Sequence, residues 1–426
     1  MTASIVTFAT VYKTIGLALF AIVFLAVVAY SAINIIFSGK PELGAEIELA
    51  ANRKPYYTDE ELEGPKLDRA LTIGLLTLFV LAVSLPIYWV MEPGRQKNAA
   101  VSFDDDFIAR GAAMFAPTGD NLQALNCAGC HGGLDGGVVS YNLTDPATGQ
   151  VAAVNWKAPA LGSVLLRFSR EEVTYILTYG RPGTPMPAWG VAGGGPLNDQ
   201  QIQNLIDYLD ANTISHDQVQ DKVGAALTKY LNARFDDNGE RVFTGPNAEG
   251  EALFNMGLLG NPEMAAYGCG RCHTQGFSYA EVETSTDDNG TPSDPSDDFL
   301  VVNREQYEAA TANSGCGGGF AFNLCDGDTE RQFPTVENPE DGKSPFQAMI
   351  DFVSEGSVVG KQYGRQGQGS GRMPGFGVRP AEPAVFWLNG GAERPAGEGM
   401  LTDEQITSIV EYERTLTSAD AREANG

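Results

Sequence analysis

The sequence predicts a mainly α protein: two N-terminal membrane-spanning helices, then one small helical domain that occurs twice, the second copy carrying a long loop insertion. Three observations predict it. Two long uncharged apolar runs precede residue 92, a Cys-x-x-Cys-His motif is present twice, and matching segments surround each motif after residue 100. The 426 residues suffice for two to three domains. With 28 Lys and Arg against 54 Asp and Glu, the formal charge of −26 excludes a nucleic-acid binder. Residues beyond 100 carry −25 of it. Six Cys and three His rule out a disulfide-rich scaffold.

Residues 14–37 and 70–91 run 24 and 22 positions without a charge. As helices they span roughly 36 and 33 Å, enough for a bilayer core of about 30 Å. Tyr12 and Lys13 open the first, while Tyr88 and Trp89 close the second with Arg95 and Lys97 beyond, as interfacial residues do. Pro86 falls in the last turns, where a kink is expected rather than a break. Loop 38–69 holds Lys40, Arg53, Lys54, Lys66 and Arg69, which places it in the cytoplasm, with the N-terminus and everything after residue 92 outside. The first run is too long, and its basic flank too weak, for a cleaved signal peptide.

Cys127-Ala128-Gly129-Cys130-His131 and Cys269-Gly270-Arg271-Cys272-His273 are the two motifs. Thiols three positions apart can each form a thioether to one haem vinyl group, and the adjacent histidine then reaches the iron. A zinc site would need further Cys or His ligands nearby, and a thioredoxin-like pair does not require the histidine. His216 is the one remaining histidine, so two bis-histidine haems cannot form within one chain. Met186, in Pro185-Met186-Pro187-Ala188-Trp189-Gly190, and Met373, in Arg372-Met373-Pro374-Gly375-Phe376-Gly377, are the candidate sixth ligands. A thioether favours Fe(II), and a flanking proline stiffens the loop that holds it.

The surroundings repeat. Gly111 precedes Phe115 by four residues and Gly250 precedes Phe254 by four, each ahead of its motif. Tyr179-Gly180-Arg181 leads to Met186 and Tyr363-Gly364-Arg365 to Met373. After each methionine comes a helix with an N-cap and an acidic first turn. Its apolar stripe is Ile202, Leu205, Ile206 and Leu209 in one copy, and Ile406, Ile409 and Val410 in the other. The glycine of each Gly-x-x-x-Phe helix lets that terminal helix cross closely. The unit resembles the class I cytochrome c family over roughly residues 101–212 and 246–416. The resemblance implies two covalently bound haem c groups, one held by Cys127, Cys130, His131 and Met186, the other by Cys269, Cys272, His273 and Met373. It also implies Tyr179 and Tyr363 near the distal loops, and Trp189 and Phe376 beside the haems.

The expected organisation is an anchor over 1–97, a first cytochrome c domain over 98–215 opening with a polar linker at 98–106, a connection at 216–245, a second domain over 246–418, and a tail at 419–426. The histidine-to-methionine interval is 55 residues in the first domain and 100 in the second, so an insertion occupies about 280–345. It contains Cys316 and Cys325, a disulfide candidate outside the membrane. Its acidic run, Asp287, Asp288, Asn289, Asp294, Asp297 and Asp298, reads as a solvated loop, since the spacing does not match a helix-loop-helix calcium site.

No nucleophile–base pairing, phosphate-binding glycine loop or dinucleotide fingerprint is present. The expectation is a membrane-anchored dihaem electron carrier in a bacterial cell membrane, its haem domains extracytoplasmic. It resembles dihaem subunits of cytochrome bc complexes, which implies cytochrome b and Rieske iron–sulfur partners and a terminal oxidase as acceptor. Those subunits carry their anchor after the haem domains, and the anchor-first order resembles instead the dihaem subunit of cbb-type oxidases. A dihaem peroxidase, with His216 replacing a methionine, is the alternative of another class. The acidic surface suits a basic mobile electron carrier or a basic partner, or reflects a generally acidic proteome.

Overall fold

The computed structural model describes residues 63–144, 148–260, 262–288, 298–317, 321–333, 342–357, 372–382 and 394–417, together with residues 22, 25, 26, 29, 30 and 33, which are helical. Most of the first apolar run, residues 38–62, the segment holding Tyr363-Gly364-Arg365, part of the acidic run and the tail lie outside the described residues. The chain divides into two compact units, residues 1–91 and 92–426.

Helix α1, Pro65–Phe115, runs 51 residues. Its apolar part has a mean hydropathy of 2.4 and none of it is buried. Leu71, Leu75, Phe79, Val83 and Trp89 are all exposed. A helix apolar on every face finds its solvent in lipid, so α1 is compatible with a membrane anchor. Among the described residues it is the one helix long and apolar enough to cross a membrane. Residues 98–106 correct the expectation of a linker, because they are helical within α1. Alanines 99 and 100 favour helix, nothing between Lys97 and Arg110 breaks it, and Phe103 stacks on Phe107 one turn later, centroids 6.3 Å apart.

In the second unit the end of α1 is followed by α2 (Cys127–His131), the antiparallel hairpin of β1 (Gly137–Thr144) and β2 (Val151–Ala158), α3 (Arg170–Tyr179) and α4 (Asp199–Ala211). Met114, Phe115, Leu165, Phe168 and the α4 stripe Ile202, Leu205, Ile206 and Leu209 form one core. Asn198 caps α4 in a reciprocal box with Gln201. Gly111 is where α1 meets α4, since a side chain there would collide with the carbonyl oxygen of Asn204.

The later part comprises α5 (His216–Leu231), β3 (Arg234–Phe235), α6 (Ala248–Phe254), α7 (Gly270–His273), β4 (Thr284–Asp287), β5 (Phe299–Val302), α8 (Arg304–Thr311), α9 (Asp328–Gln332), α10 (Pro345–Glu355), β6 (Val378–Arg379), β7 (Gly397–Glu398) and α11 (Asp403–Glu413). Its core includes Leu253, Phe254, Met256, Met349, Ile406, Ile409 and Val410. Thr402 and Gln405 box the N-terminus of α11, and Gly250 of α6 abuts the carbonyl of Ser408 as Gly111 abuts Asn204.

Two further expectations differ from the structure. Residues 216–245 are not a loose connection: α5 buries Val219, Val223 and Tyr230 in the later core, and β3 pairs with β5. Arg304 pins the Asp237 and Glu240 carboxylates near the end of this segment. The insertion is likewise more than a loop, since it carries β4, β5, α8 and α9. Cys316 and Cys325 within it are joined in the expected disulfide, Cα atoms 5.1 Å apart.

Candidate haem site

The Cys-x-x-Cys-His segment of the first half is a short helix, α2, between two left-handed residues, Asn126 (φ 66°) and Gly132 (φ 58°). One helical turn sets Cys127 and Cys130 on one side and leaves His131 at the end. The His131 Nδ1 lies 2.9 Å from the carbonyl oxygen of Pro159, just after β2. A carbonyl only accepts, so Nδ1 carries the proton and Nε2 keeps its lone pair for a metal. The second segment repeats this around α7, with His273 Nδ1 2.8 Å from the Phe322 carbonyl. Burial holds both imidazoles neutral: it lowers the pKa of His131 and takes that of His273 down to about 4.

The two methionine segments are built alike. A left-handed glycine follows the preceding helix: Gly180 (φ 69°) after α3 and Gly356 (φ 79°) after α10. Each lies so close under its loop that a side chain would strike the Met186 or Met373 carbonyl. The next residue's amide, of Arg181 or Ser357, donates to that carbonyl at 3.1 and 3.0 Å. Trp189 N–H donates to Leu177 and Phe376 N–H to Val353, at 2.9 and 3.1 Å. The partner of Gly180 is therefore Gly356, not the Gly364 that the Tyr-Gly-Arg match pointed to.

Cys127, Cys130, His131 and Met186 open onto one cavity, and Cys269, Cys272, His273 and Met373 line the same cavity. Trp189 and Phe376 are on its wall, as expected. Tyr179 is not. It is exposed and packs on Tyr175, ring centroids 4.7 Å apart. His216 is also off the wall, its Nδ1 2.8 Å from the Gly399 carbonyl.

Arginines that sequence reasoning passed over complete the site. Arg167, Arg181, Arg271 and Arg372 all line the cavity. Burial lowers Arg167 and Arg271 to about 10, and for Arg271 the nearby Arg167 and Arg181 add to the effect. Among the described residues, Arg167 Nε and Arg271 Nη1 are buried without a hydrogen-bond partner. A haem bound here would supply what is missing, since propionate carboxylates are the acceptors such guanidiniums need. Arg271 sits inside the second motif, and Arg181 and Arg372 lie in the segments that lead to the two methionines; Arg167 has no such neighbour. Both arginines also tie the halves together: Arg167 donates to Ala266 O at 2.6 Å and Arg271 to Lys157 O at 3.0 Å. Arg372 clasps Glu172 through both carboxylate oxygens, with both side chains under a tenth exposed.

Thiols at helix spacing, a neutral histidine with its Nε2 free, a methionine on a braced loop and arginines with buried, unmatched N–H groups fit a covalently attached haem. Residues 115–209, which hold Cys127, Cys130, His131 and Met186, are a cytochrome c domain. They match the family described as cytochrome C oxidase, cbb3-type, subunit III. Covalently bound haem c and electron transfer follow from that domain. Neither the curated proteins nor the solved structures provide a match to the chain.

Proposed function

We propose that the chain is a membrane-anchored dihaem c-type cytochrome that relays electrons in a respiratory chain, as a subunit of a (mena)quinol–cytochrome c reductase assembly passing electrons from a Rieske protein to a terminal oxidase. The observation that carries this reading is the single cavity onto which both Cys-x-x-Cys-His segments and both methionines open. A haem c bound at each site supplies one-electron exchange at its iron. Cys127, Cys130, Cys269 and Cys272 attach the two groups. His131 and His273 offer Nε2 while the Pro159 and Phe322 carbonyls fix their rings. Met186 and Met373 offer thioethers, which raise the potential. Arg167, Arg181, Arg271 and Arg372 would neutralise haem propionates, and Trp189, Phe168 and Phe376 would help exclude water.

Two spans, of which α1 contributes the second, hold the haem domains on the extracytoplasmic side of a bacterial cell membrane, with the N-terminus outside. Cytochrome b and Rieske subunits are the expected partners, and the acidic surface suits a basic mobile carrier. A second reading, the electron-entry subunit of a cbb-type oxidase, draws on the anchor-first order and on the family matched by residues 115–209. A peroxidase using His216 draws no support from that residue's place at the start of α5.

The test is purification from native membranes in mild detergent, with co-purifying subunits identified by mass spectrometry. Cytochrome b with a Rieske protein is the expected result. An oxidase core without either would overturn the reductase assignment in favour of the oxidase subunit.

A further inference from the structure

The two halves differ at one position on the cavity wall. Gly111 packs against the Tyr208 Cβ and Gly250 against the Tyr412 Cβ, so the next residues correspond: Leu209 of α4 and Glu413 of α11. Both line the cavity, and both are buried, 4% and 3% exposed. Leucine suits the apolar face of a porphyrin, whereas glutamate places a carboxyl group against it. Among the described residues that carboxyl has no hydrogen-bond or ion-pair partner, although buried carboxylates ordinarily require one.

Burial alone raises its pKa from the ordinary 4.5 to about 8. Cys269 is the titratable neighbour that interacts with it electrostatically, and as a thioether that residue no longer titrates. On the elements packed against α11, Glu251 of α6 accepts from the Tyr307 hydroxyl and Asp351 of α10 from Gln347. Glu249 and Glu355 are the other acids on those two helices. On the cavity wall the other charged or titratable groups of this half are Cys272, His273, Arg271 and Arg372, and Arg167 and Arg181 face them from the first half. None of these pairs with Glu413.

We propose that Glu413 is a redox-linked proton acceptor for the second haem site. One electron, delivered by the first haem, takes the second iron from ferric to ferrous, and one proton from solvent converts the Glu413 carboxylate to the acid; reoxidation releases both. The inference rests on the dihaem reading. In a low-dielectric cavity, removing one positive charge from the iron centre weakens the attraction that favours the carboxylate. Proton affinity therefore differs between redox states by about tenfold, which for one electron corresponds to about 59 mV. Leu209 gives the first site no such partner.

The experiment is a spectroelectrochemical titration of the full-length haem-loaded protein in detergent, from about pH 5.5 to about pH 9.5, with Glu413→Gln and Glu413→Leu alongside. In the wild type, one midpoint potential falls with rising pH by about 59 mV in total while the other stays level. Both stay level in the two variants. Two level potentials in the wild type, or a slope that survives in the variants, would overturn the proposal. Because the wild-type slope is decisive alone, a variant that fails to load haem does not rescue it. A haem count of one per chain would instead sink the dihaem reading, so the two failures are distinguishable.

Discussion

Between its histidine and its methionine the first half runs 55 residues and the second 100, yet the two build the same pieces around one cavity. Each has a histidine whose Nδ1 is held by a carbonyl, a left-handed glycine under the methionine loop, and a terminal helix crossed at a glycine. The supports differ. Pro159, at the end of a two-stranded hairpin, holds His131, whereas Phe322, inside the loop closed by Cys316 and Cys325, holds His273. The features a haem would need are present in both halves, whereas the element that presents the carbonyl differs between them.

The equivalence breaks most plainly if one motif can be emptied alone. Replacing Cys269 and Cys272 with alanine should lower haem content from two per chain to one, read from the pyridine haemochrome spectrum. Replacing Cys127 and Cys130 should do the same. No loss from either pair would remove that motif from the account.

The clasp between the halves comes next. Arg372→Ala leaves the Glu172 carboxylate buried without its cation, held only by the Ser169 N–H among the described residues, which should cost about 3–5 kcal/mol in denaturant unfolding. Adding Glu172→Ala should recover part of that loss, and full additivity would show that the pair is not coupled.

The disulfide sharpens the contrast. Cys316→Ser with Cys325→Ser frees a loop of sequence separation 9 and should cost about 2.5 kcal/mol. It should also move the potential of the second site alone, because the Phe322 carbonyl lies within that loop. Equal movement of both potentials would contradict this division.

The smallest effect concerns pH. Glu413 has a raised pKa in the folded chain, so it binds more protons folded than unfolded between 4.5 and about 8. Its stabilising contribution is complete below 4.5 and is lost as pH rises through about 8. Glu413→Gln should therefore gain steadily on the wild type as pH rises from about 5 to about 9. Parallel stability curves would show the carboxyl to be indifferent.

What the sequence revealed of the site was local. Cys127 to His131, Cys269 to His273, both methionines and both capped terminal helices lie within a few residues of the pattern that marks them. The crossings at Gly111 and Gly250 also followed from spacing. What stayed hidden depends on the folded chain. Arg372 and Glu172 are 200 residues apart, and nothing near either announces the other. Gly356 was passed over for Gly364 because the longer second loop breaks the spacing that Tyr179-Gly180-Arg181 has to Met186. The β1–β2 hairpin went unread although Val139, Tyr141 and Leu143 alternate with more exposed neighbours. Helix α5 falls within the stretch expected to be a connection, although Val219, Val223 and Tyr230 recur at helical spacing and are buried. The exchange of Leu209 for Glu413 was visible once the terminal helices were aligned to their ends.

The most direct test of the central claim is the mass of the denatured chain purified from a host that matures c-type cytochromes. Covalent haem survives unfolding, so the account predicts the chain mass plus two haems. A mass showing a single haem would contradict it.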